Sequence, residues 1–270
     1  MRLHGRILVI AGSDSGGGAG IQADIKTIIA LGGYAMTAIT ALTAQDTLGV
    51  HAVHAVPSAF IRHQIRLAFD DIGVDVIKTG MLADTPTIDA VCDELATIAR
   101  LPPLVVDPVM SAKGGASLLA QQAVAQLKRR LIPMATLITP NIPEAEILTG
   151  FAITDESGMH HAAAALLILG APAVLLKGGH LDSPDVIDIL VTATGSHVFR
   201  APRISSRHTH GTGCTLASAI ATGLAQDLSL AQAAQRAQHY VQAAIQNAPR
   251  YGQGHGPLNH AALLEQTTPS

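Results

Sequence analysis

The sequence predicts an α/β protein with a mostly parallel central sheet. Short, mostly apolar segments such as Ile7–Ala11 and Leu104–Met110 alternate with amphipathic helical segments along the chain, and such runs are typical of strands buried on both faces. A glycine-rich loop joins the first strand to the first helix, as in many nucleotide-binding α/β proteins. No repeat, low-complexity tract or linker interrupts the alternation, so residues 1–270 are expected to form a single domain.

The composition narrows the function classes. Hydrophobic residues make up 48% of the chain and aromatic residues only 3%, so the predicted core is aliphatic. A net charge of −3 and the scarcity of stacking aromatic side chains argue against a nucleic-acid partner. The two cysteines, Cys92 and Cys214, form no disulfide framework and fit a reducing compartment. Without a signal-peptide pattern or an apolar run of roughly 20 residues, we expect a soluble cytoplasmic protein with no membrane partner.

Thirteen histidines raise the question of a metal site. They form no His-Glu-x-x-His motif, and no cysteine cluster accompanies them. Because these are the usual patterns of zinc ligands, a histidine metal site is not expected.

The N-terminal strand Ile7–Ala11 leads into a loop with five glycines and then a helix ended by Gly32 and Gly33. The helix is predicted to bury one face made of isoleucines, Ile21, Ile25, Ile28 and Ile29. The loop fits neither the Gly-x-Gly-x-x-Gly register nor a Walker A motif, so it is expected to shape a small-ligand pocket. Asp24, one turn into the helix, would accept hydrogen bonds from that ligand, or be an ordinary first-turn acid favoured by the helix dipole.

A second strand, Ala35–Leu42, is followed by Gln45 and by a predicted edge strand that Pro57 ends. Ligands of α/β proteins usually lie beyond strand ends. The Gln45 amide can both donate and accept, which suits a ligand with an amino group beside a ring nitrogen.

The middle of the chain predicts further alternation. The expected elements are a helix over 58–72, a strand over 74–78, a helix that starts at Thr85-Pro86, a loop over 111–117 with a helix to Leu131, and a strand over 135–139. Asp107 lies near one strand end, and Asn141 and Glu144 follow another. An acid and an amide at neighbouring strand ends can hold a hydrated Mg²⁺ beside phosphates; alternatively, Glu144 is only a first-turn helix acid.

The C-terminal part continues the pattern up to a predicted surface helix. The expected elements are a helix over 157–169, a strand over 173–180, a hairpin over 186–202 that turns at Gly195, and a last helix from Ser229 to about Ala248, packed against the sheet. Lys177 lies at a strand end before two glycines, where its ammonium can balance phosphate charge.

The segment from Arg207 to Thr215 is predicted to be an anion-binding turn. Leu216, Ile220 and Leu224 have helical spacing, so a helix begins close to Gly213. Glycines interleaved with threonines leave the first N–H groups of that helix accessible, and the helix dipole favours a phosphate or an oxyanion there. Cys214 would point at the bound group. The alternative is a glycine-containing loop that only caps a buried helix.

Eight motifs occur in one order between Ile7 and Pro257. They are Ala11–Asp14, Gly17–Asp24, Thr43–Gln45, Gly80–Leu82, Val106–Met110, Thr139–Glu144, Lys177–His180 and His210–Thr215. Together they resemble the hydroxymethylpyrimidine and phosphomethylpyrimidine kinases of thiamine biosynthesis, which belong to the ribokinase-like superfamily. The chain departs from many relatives in its Ser13-Asp14-Ser15 loop, where they carry a proline.

The resemblance implies a three-layer αβα sandwich, a homodimer, and two successive ATP-dependent phosphorylations of 4-amino-5-hydroxymethyl-2-methylpyrimidine at one site. It also implies residue roles. The pyrimidine would contact Gly12, Asp24, Gln45, Met81 and Val109. ATP phosphates would contact Asn141, Lys177, Thr209, Gly211, Thr212 and Gly213. Mg²⁺ would be organised by Asp107 and Glu144, directly or through water.

Cys214 is the candidate catalytic base, acting with Lys177 and the turn formed by Gly211 and Gly213. Sugar kinases of the superfamily carry Asp at this position, whereas the pyrimidine kinases carry the thiol. A helix N-terminus lowers a thiol pKa and nearby phosphates raise it, so the sequence leaves the ionisation state of Cys214 open. The alternative reading is a small core residue.

Three alternative functions share part of this pattern. A pyridoxal kinase is the nearest, since pyridoxal also carries a hydroxymethyl group; Gln45 favours the pyrimidine. A nucleotide-dependent dehydrogenase would need the glycine register that the N-terminal loop lacks. A catalytically inactive pyrimidine-binding regulator is disfavoured by the intact set of Asn141, Glu144, Lys177 and Cys214.

Overall fold

The computed structural model describes residues 3–111, 118 and 121–263. In this part of the chain one sheet contains nine strands: β1 (Arg6–Asp14), β2 (Tyr34–Gln45), β3 (Val50–Ala55), β4 (Val76–Thr79), β5 (Leu104–Val106), β6 (Leu137–Ile138), β7 (Ala173–Lys177), β8 (Asp185–Thr192) and β9 (Gly195–Pro202). Their order is β3-β2-β1-β4-β5-β6-β7-β8-β9. Six neighbouring strands, β2, β1, β4, β5, β6 and β7, are parallel to one another. The remaining strands β3, β8 and β9 pair antiparallel. The predicted mostly parallel sheet and the edge strand are confirmed.

Helices cover both faces of this sheet. They are α1 (Gly20–Ala30), α2 (Ser58–Leu67), α3 (Thr85–Leu95), α4 (Gln121–Gln126), α5 (Ile142–Thr149), α6 (Glu156–Ile168), α7 (Thr212–Leu224) and α8 (Leu230–Gln246). One core packs α2 to α6 against side chains such as Leu8 and Ile10, and a second packs α1, α7 and α8 against Ile7 and Val9. Successive strand residues point to opposite faces, so β1 supplies both cores. The predicted αβα sandwich is confirmed.

The predicted isoleucine face of α1 is confirmed for Ile21 and Ile28, which are buried, and is wrong for Ile29. Ile29 is 50% exposed, whereas Asp24 and Thr27 are fully buried. The face turns because Lys78 of β4 and Ser218 of α7 both bond Asp24, so a polar cluster replaces part of the apolar stripe. Hydrophobic periodicity does not detect such a face.

Two further outcomes concern helices α5 and α8. Helix α5 follows the capping box that Asn141 and Glu144 form, and Glu144 is therefore also a first-turn acid. Helix α8 packs one face on α7, where a Cβ at Gly223 would lie 2.8 Å from Ala233 Cβ. The predicted 111–117 loop lies, apart from Ser111, outside the described residues.

The carboxyl ends of the parallel strands place the polar residues at one edge of the sheet. Asp14 ends β1, Asp107 follows β5, and Lys177 ends β7. The N-terminus of α7 lies at the same edge, since a Cβ at Gly213 would be 3.2 Å from Lys177 Nζ. Among the described residues, no helix combines the length and apolar character needed to cross a membrane.

Candidate active site

The turn before α7 has the geometry of an anion-binding site. Gly211 precedes the helix with φ +85° and provides no capping side chain, so the first N–H groups of α7 have no side-chain acceptor from that position. A Cβ on Gly211 would collide with the backbone oxygen of Gly18. Thr212 Oγ1 donates to Thr209 O at 2.7 Å, which closes the turn. The predicted helix start is confirmed.

Lys177 lies against this turn. Its Nζ donates to Asp107 Oδ1 at 3.0 Å and would approach a Cβ on Gly213 to 3.2 Å. Burial alone would lower the pKa of Lys177, but the carboxylates of Asp107 and Glu144 outweigh burial and raise it. The side chain is therefore an ammonium beside the N-terminus of α7.

Two carboxylates surround this ammonium. Asp107 is 2% exposed and accepts from Thr139 Oγ1 at 3.3 Å. Glu144 accepts from Asn141 N at 2.8 Å, while Asn141 Oδ1 accepts from Glu144 N at 2.9 Å. Burial and the negative charge of Asp107 together raise the pKa of Glu144 to about 7, against the attraction of Lys177.

These residues fit a hydrated Mg²⁺. Within the described residues, no group of three or more His, Cys, Asp or Glu side chains could hold a metal ion by itself. Mg²⁺ commonly keeps several waters and binds through one or two carboxylates together with substrate phosphates. Asp107 and Glu144 provide two such carboxylates, both close enough to Lys177 for their charges to shift its pKa.

Glu144→Gln should stabilise the protein at alkaline pH. The folded pKa of Glu144, about 7, exceeds the ordinary value of 4.5. The contribution of its protonated side chain to stability is therefore fully present below pH 4.5 and is lost as the pH rises through 7. The glutamine amide oxygen can keep the capping box without the buried charge. We expect a gain of about 1–3 kcal/mol at pH 8, measured by chemical denaturation. An equal difference between the two proteins at pH 4.5 and pH 8 would refute this origin.

Cys214 lies in the first turn of α7 and is half-buried. Burial raises the pKa of its thiol to about 12; the ammonium of Lys78 lowers it, while Asp24 and Asp107 raise it. This shift favours the neutral thiol in the ligand-free protein.

A buried ion pair supports the floor of the site. Lys78 Nζ lies 2.9 and 3.0 Å from the two oxygens of Asp24, and both side chains are fully buried. Ser218 Oγ donates to Asp24 Oδ1 at 2.6 Å. Burial would lower the pKa of Lys78, but Asp24 raises it above its usual value. The ring contact predicted for Asp24 stays a prediction.

The ends of β1 and β2 carry residues that the sequence predicts to contact a substrate. Gln45 Nε2 lies 3.2 Å from His210 Nε2, and Gln45 Oε1 lies 3.2 Å from Thr43 Oγ1. A Cβ on Gly12 would lie 3.3 Å from Met81 Sδ. Val109 is half-buried next to Asp107, whose carbonyl accepts from Val109 N at 2.8 Å.

Sequence reasoning missed three residues at this edge. Asp14 accepts from the backbone of its own loop and contacts His210 Nε2 at 2.9 Å. A possible signal was the acid at the start of a glycine loop, which commonly bonds local backbone N–H groups. Lys78 was visible only as a charge at the end of an apolar strand, and His210 has no local signal because its partners are far away in the chain.

Comparison with solved structures places the fold among the ribokinase-like kinases. The crystal structure of an ADP complex of Bacillus subtilis pyridoxal kinase matches with a TM-score of 0.89 and 35% identity, over 97% of this chain and 99% of that one. The sequence profile of phosphomethylpyrimidine kinase matches residues 14–259. The chain belongs to the phosphomethylpyrimidine kinase family.

Two curated relatives are similar over almost the whole chain. The hydroxymethylpyrimidine/phosphomethylpyrimidine kinase of Streptomyces coelicolor is 47% identical over 96% of this chain and 95% of its own length. The thiamine biosynthesis bifunctional protein of Geobacter sulfurreducens is 56% identical over 97% of this chain. The chain spans only 53% of the length of that longer protein.

Proposed function

We propose that the protein transfers the γ-phosphoryl group of ATP to the hydroxymethyl group of 4-amino-5-hydroxymethyl-2-methylpyrimidine and then phosphorylates the monophosphate to the diphosphate. The observation that carries this proposal is the ammonium of Lys177 against the glycine turn of α7, in a chain of this family. The turn and the ammonium would stabilise charge on the transferred group, and phosphoryl transfer depends chiefly on such positioning and charge stabilisation.

The residues on the phosphate side of the site would have different roles. Asn141 uses its amide oxygen to cap α5, which leaves its NH₂ to donate to a phosphate. Thr209, Thr212 and the backbone of Gly211 and Gly213 would hold the phosphate oxygens at the turn. Asp107 and Glu144 would hold Mg²⁺ through water, and the ion would neutralise charge on the phosphates.

On the substrate side, Gly12, Met81 and Val109 would line the ring, and Gln45 would bond its aminopyrimidine edge. The Cys214 thiol would first release its proton to solvent water, and the resulting thiolate would accept the proton of the substrate alcohol. Lys78 favours that loss, because its ammonium lowers the pKa of the thiol. We also propose that the protein works as a cytoplasmic homodimer.

Pyridoxal kinase activity is the second candidate, because the matched Bacillus subtilis structure is named as such an enzyme. The test is kcat/KM for ADP release with each alcohol in parallel. We expect the pyrimidine to be favoured by at least ~100-fold, because a site built to bond substrate N–H groups rejects ligands without them. A higher value for pyridoxal would replace the proposal.

Cys214→Asp should change the pH profile. The folded pKa of the Cys214 thiol is about 12, so the fraction in the reactive thiolate form increases about tenfold per pH unit below that value. The wild-type kcat/KM should therefore rise steeply from pH 7 to pH 9. An ionised aspartate should flatten this rise. Steady-state rates across that range provide the measurement, with Cys214→Ser as the inactive control. Unchanged turnover in Cys214→Ser would exclude the cysteine as the base.

A further inference from the structure

Four polar side chains form a continuous chain at the substrate end of the site. His210 Nε2 lies 2.9 Å from Asp14 Oδ2 and 3.2 Å from one end of the Gln45 amide. The other end of the amide lies 3.2 Å from Thr43 Oγ1, which also donates to Ser13 O at 2.9 Å. Asp14, Thr43 and His210 are each less than one-tenth exposed. The chain therefore connects a buried carboxylate to the proposed ring-binding amide.

Asp14 fixes the proton on His210. Its carboxylate accepts from the backbone N–H groups of Gly16, Gly18 and Ala19 at 2.7, 3.1 and 2.8 Å. Burial opposes ionisation, but these bonds and His210 together lower the pKa of Asp14. A carboxylate can only accept, so His210 Nε2 must carry a hydrogen and donate it to Asp14.

The hydrogen on His210 Nε2 also determines the orientation of the Gln45 amide. A nitrogen that already carries a hydrogen cannot accept from the Gln45 NH₂ group, but it can share that hydrogen with an oxygen. Thr43 has one hydroxyl proton, which Ser13 O takes, so its oxygen is an acceptor toward Gln45. A rotation of the Gln45 amide by half a turn about its last side-chain torsion exchanges the amide oxygen and nitrogen. This orientation satisfies the contacts with both His210 and Thr43.

We infer that His210 and Thr43 are positioning residues that hold the Gln45 amide with its oxygen toward His210 and its NH₂ toward Thr43. This inference rests on the proposed function and specifies how the substrate is selected. The two contacts use one lone pair and one N–H of the amide. One acceptor and one donor remain side by side, and they match the amino group and the adjacent ring nitrogen of a 4-aminopyrimidine. A 4-oxopyrimidine presents the opposite pattern, a carbonyl oxygen beside a ring N–H.

The test compares 4-amino and 4-oxo forms of 5-hydroxymethyl-2-methylpyrimidine as substrates. The wild type should favour the amino form by at least ~100-fold in kcat/KM, because mismatched polar groups are strongly rejected. His210→Leu removes the donor and frees the amide to turn, so this ratio should fall at least ~10-fold, mainly through KM. His210→Gln keeps an N–H donor at the same reach and should keep most of the ratio.

Other outcomes separate the alternatives. If His210→Leu lowers kcat/KM equally for both substrates, or if His210→Gln loses the ratio as fully as His210→Leu does, the positioning role is refuted. If His210→Leu does not fold, Thr43→Val against Thr43→Ser tests the other end of the amide in the same way. The ¹⁵N chemical shifts of His210 provide a readout without activity: a hydrogen on Nε2 is expected, and an Nδ1–H tautomer overturns the inference. If the wild type forms product from neither pyrimidine, the proposed function is refuted instead.

Discussion

Replacing Lys177 by methionine should lower kcat by about 10²–10³-fold, which is the usual cost of removing one group that stabilises transition-state charge. Methionine keeps most of the side-chain volume but removes the ammonium that lies at the N-terminus of α7. Because the ammonium interacts most strongly with charge that develops during transfer, the loss should appear in kcat more than in KM. Steady-state kinetics with the pyrimidine and ATP provides the measurement.

Stability must be separated from catalysis in this variant. Lys177→Met leaves the buried Asp107 carboxylate without its partner, and breaking a buried ion pair commonly costs about 3–5 kcal/mol. The double variant with Asp107→Asn removes that charge and should recover much of the lost Tm without recovering kcat. Activity of Lys177→Met within tenfold of the wild type would contradict the assigned role.

Gly211→Ala should lower kcat/KM by at least ~100-fold, because a misplaced catalytic turn is costly even over distances of about 1 Å. Gly211 has φ +85°, and its Cβ would collide with Gly18 O. Either the turn or the N-terminal loop must move, and both belong to the proposed site. Kinetics and nucleotide affinity should both change.

Gly150 provides the matched control for this substitution. It has φ +86° after α5, and a Cβ there meets nothing within 4 Å. Gly150→Ala should therefore cost only the backbone strain, about 1–2 kcal/mol, measured by thermal unfolding, and should leave kcat near the wild-type value. Equal losses of activity in the two variants would show that the collision with Gly18 does not matter.

The sheet was predicted well from the sequence because each strand is marked by a pattern within one short segment of the chain. Runs such as Ile7–Ala11 and Leu104–Val106 are apolar on both faces, which marks buried parallel strands. The start of α7 was equally local, since Gly211 and the leucine spacing lie within one segment. Lys177 was placed at a strand end for the same reason.

The buried polar contacts could not be predicted in this way. Asp24 bonds residues 54 and 194 positions away, and His210 reaches Asp14 across 196 positions. Such pairs depend on which strands and helices become neighbours, and no local periodicity records that. The raised pKa of Cys214 likewise results from burial, which is a property of the fold.

The measurement that tests the central claim most directly is the mass of the products formed from Mg-ATP and 4-amino-5-hydroxymethyl-2-methylpyrimidine over time. The account predicts that the monophosphate appears first and is then converted to the diphosphate, and that Lys177→Met forms both far more slowly. Release of ADP without a phosphorylated pyrimidine, or product from pyridoxal alone in a parallel reaction, would contradict it.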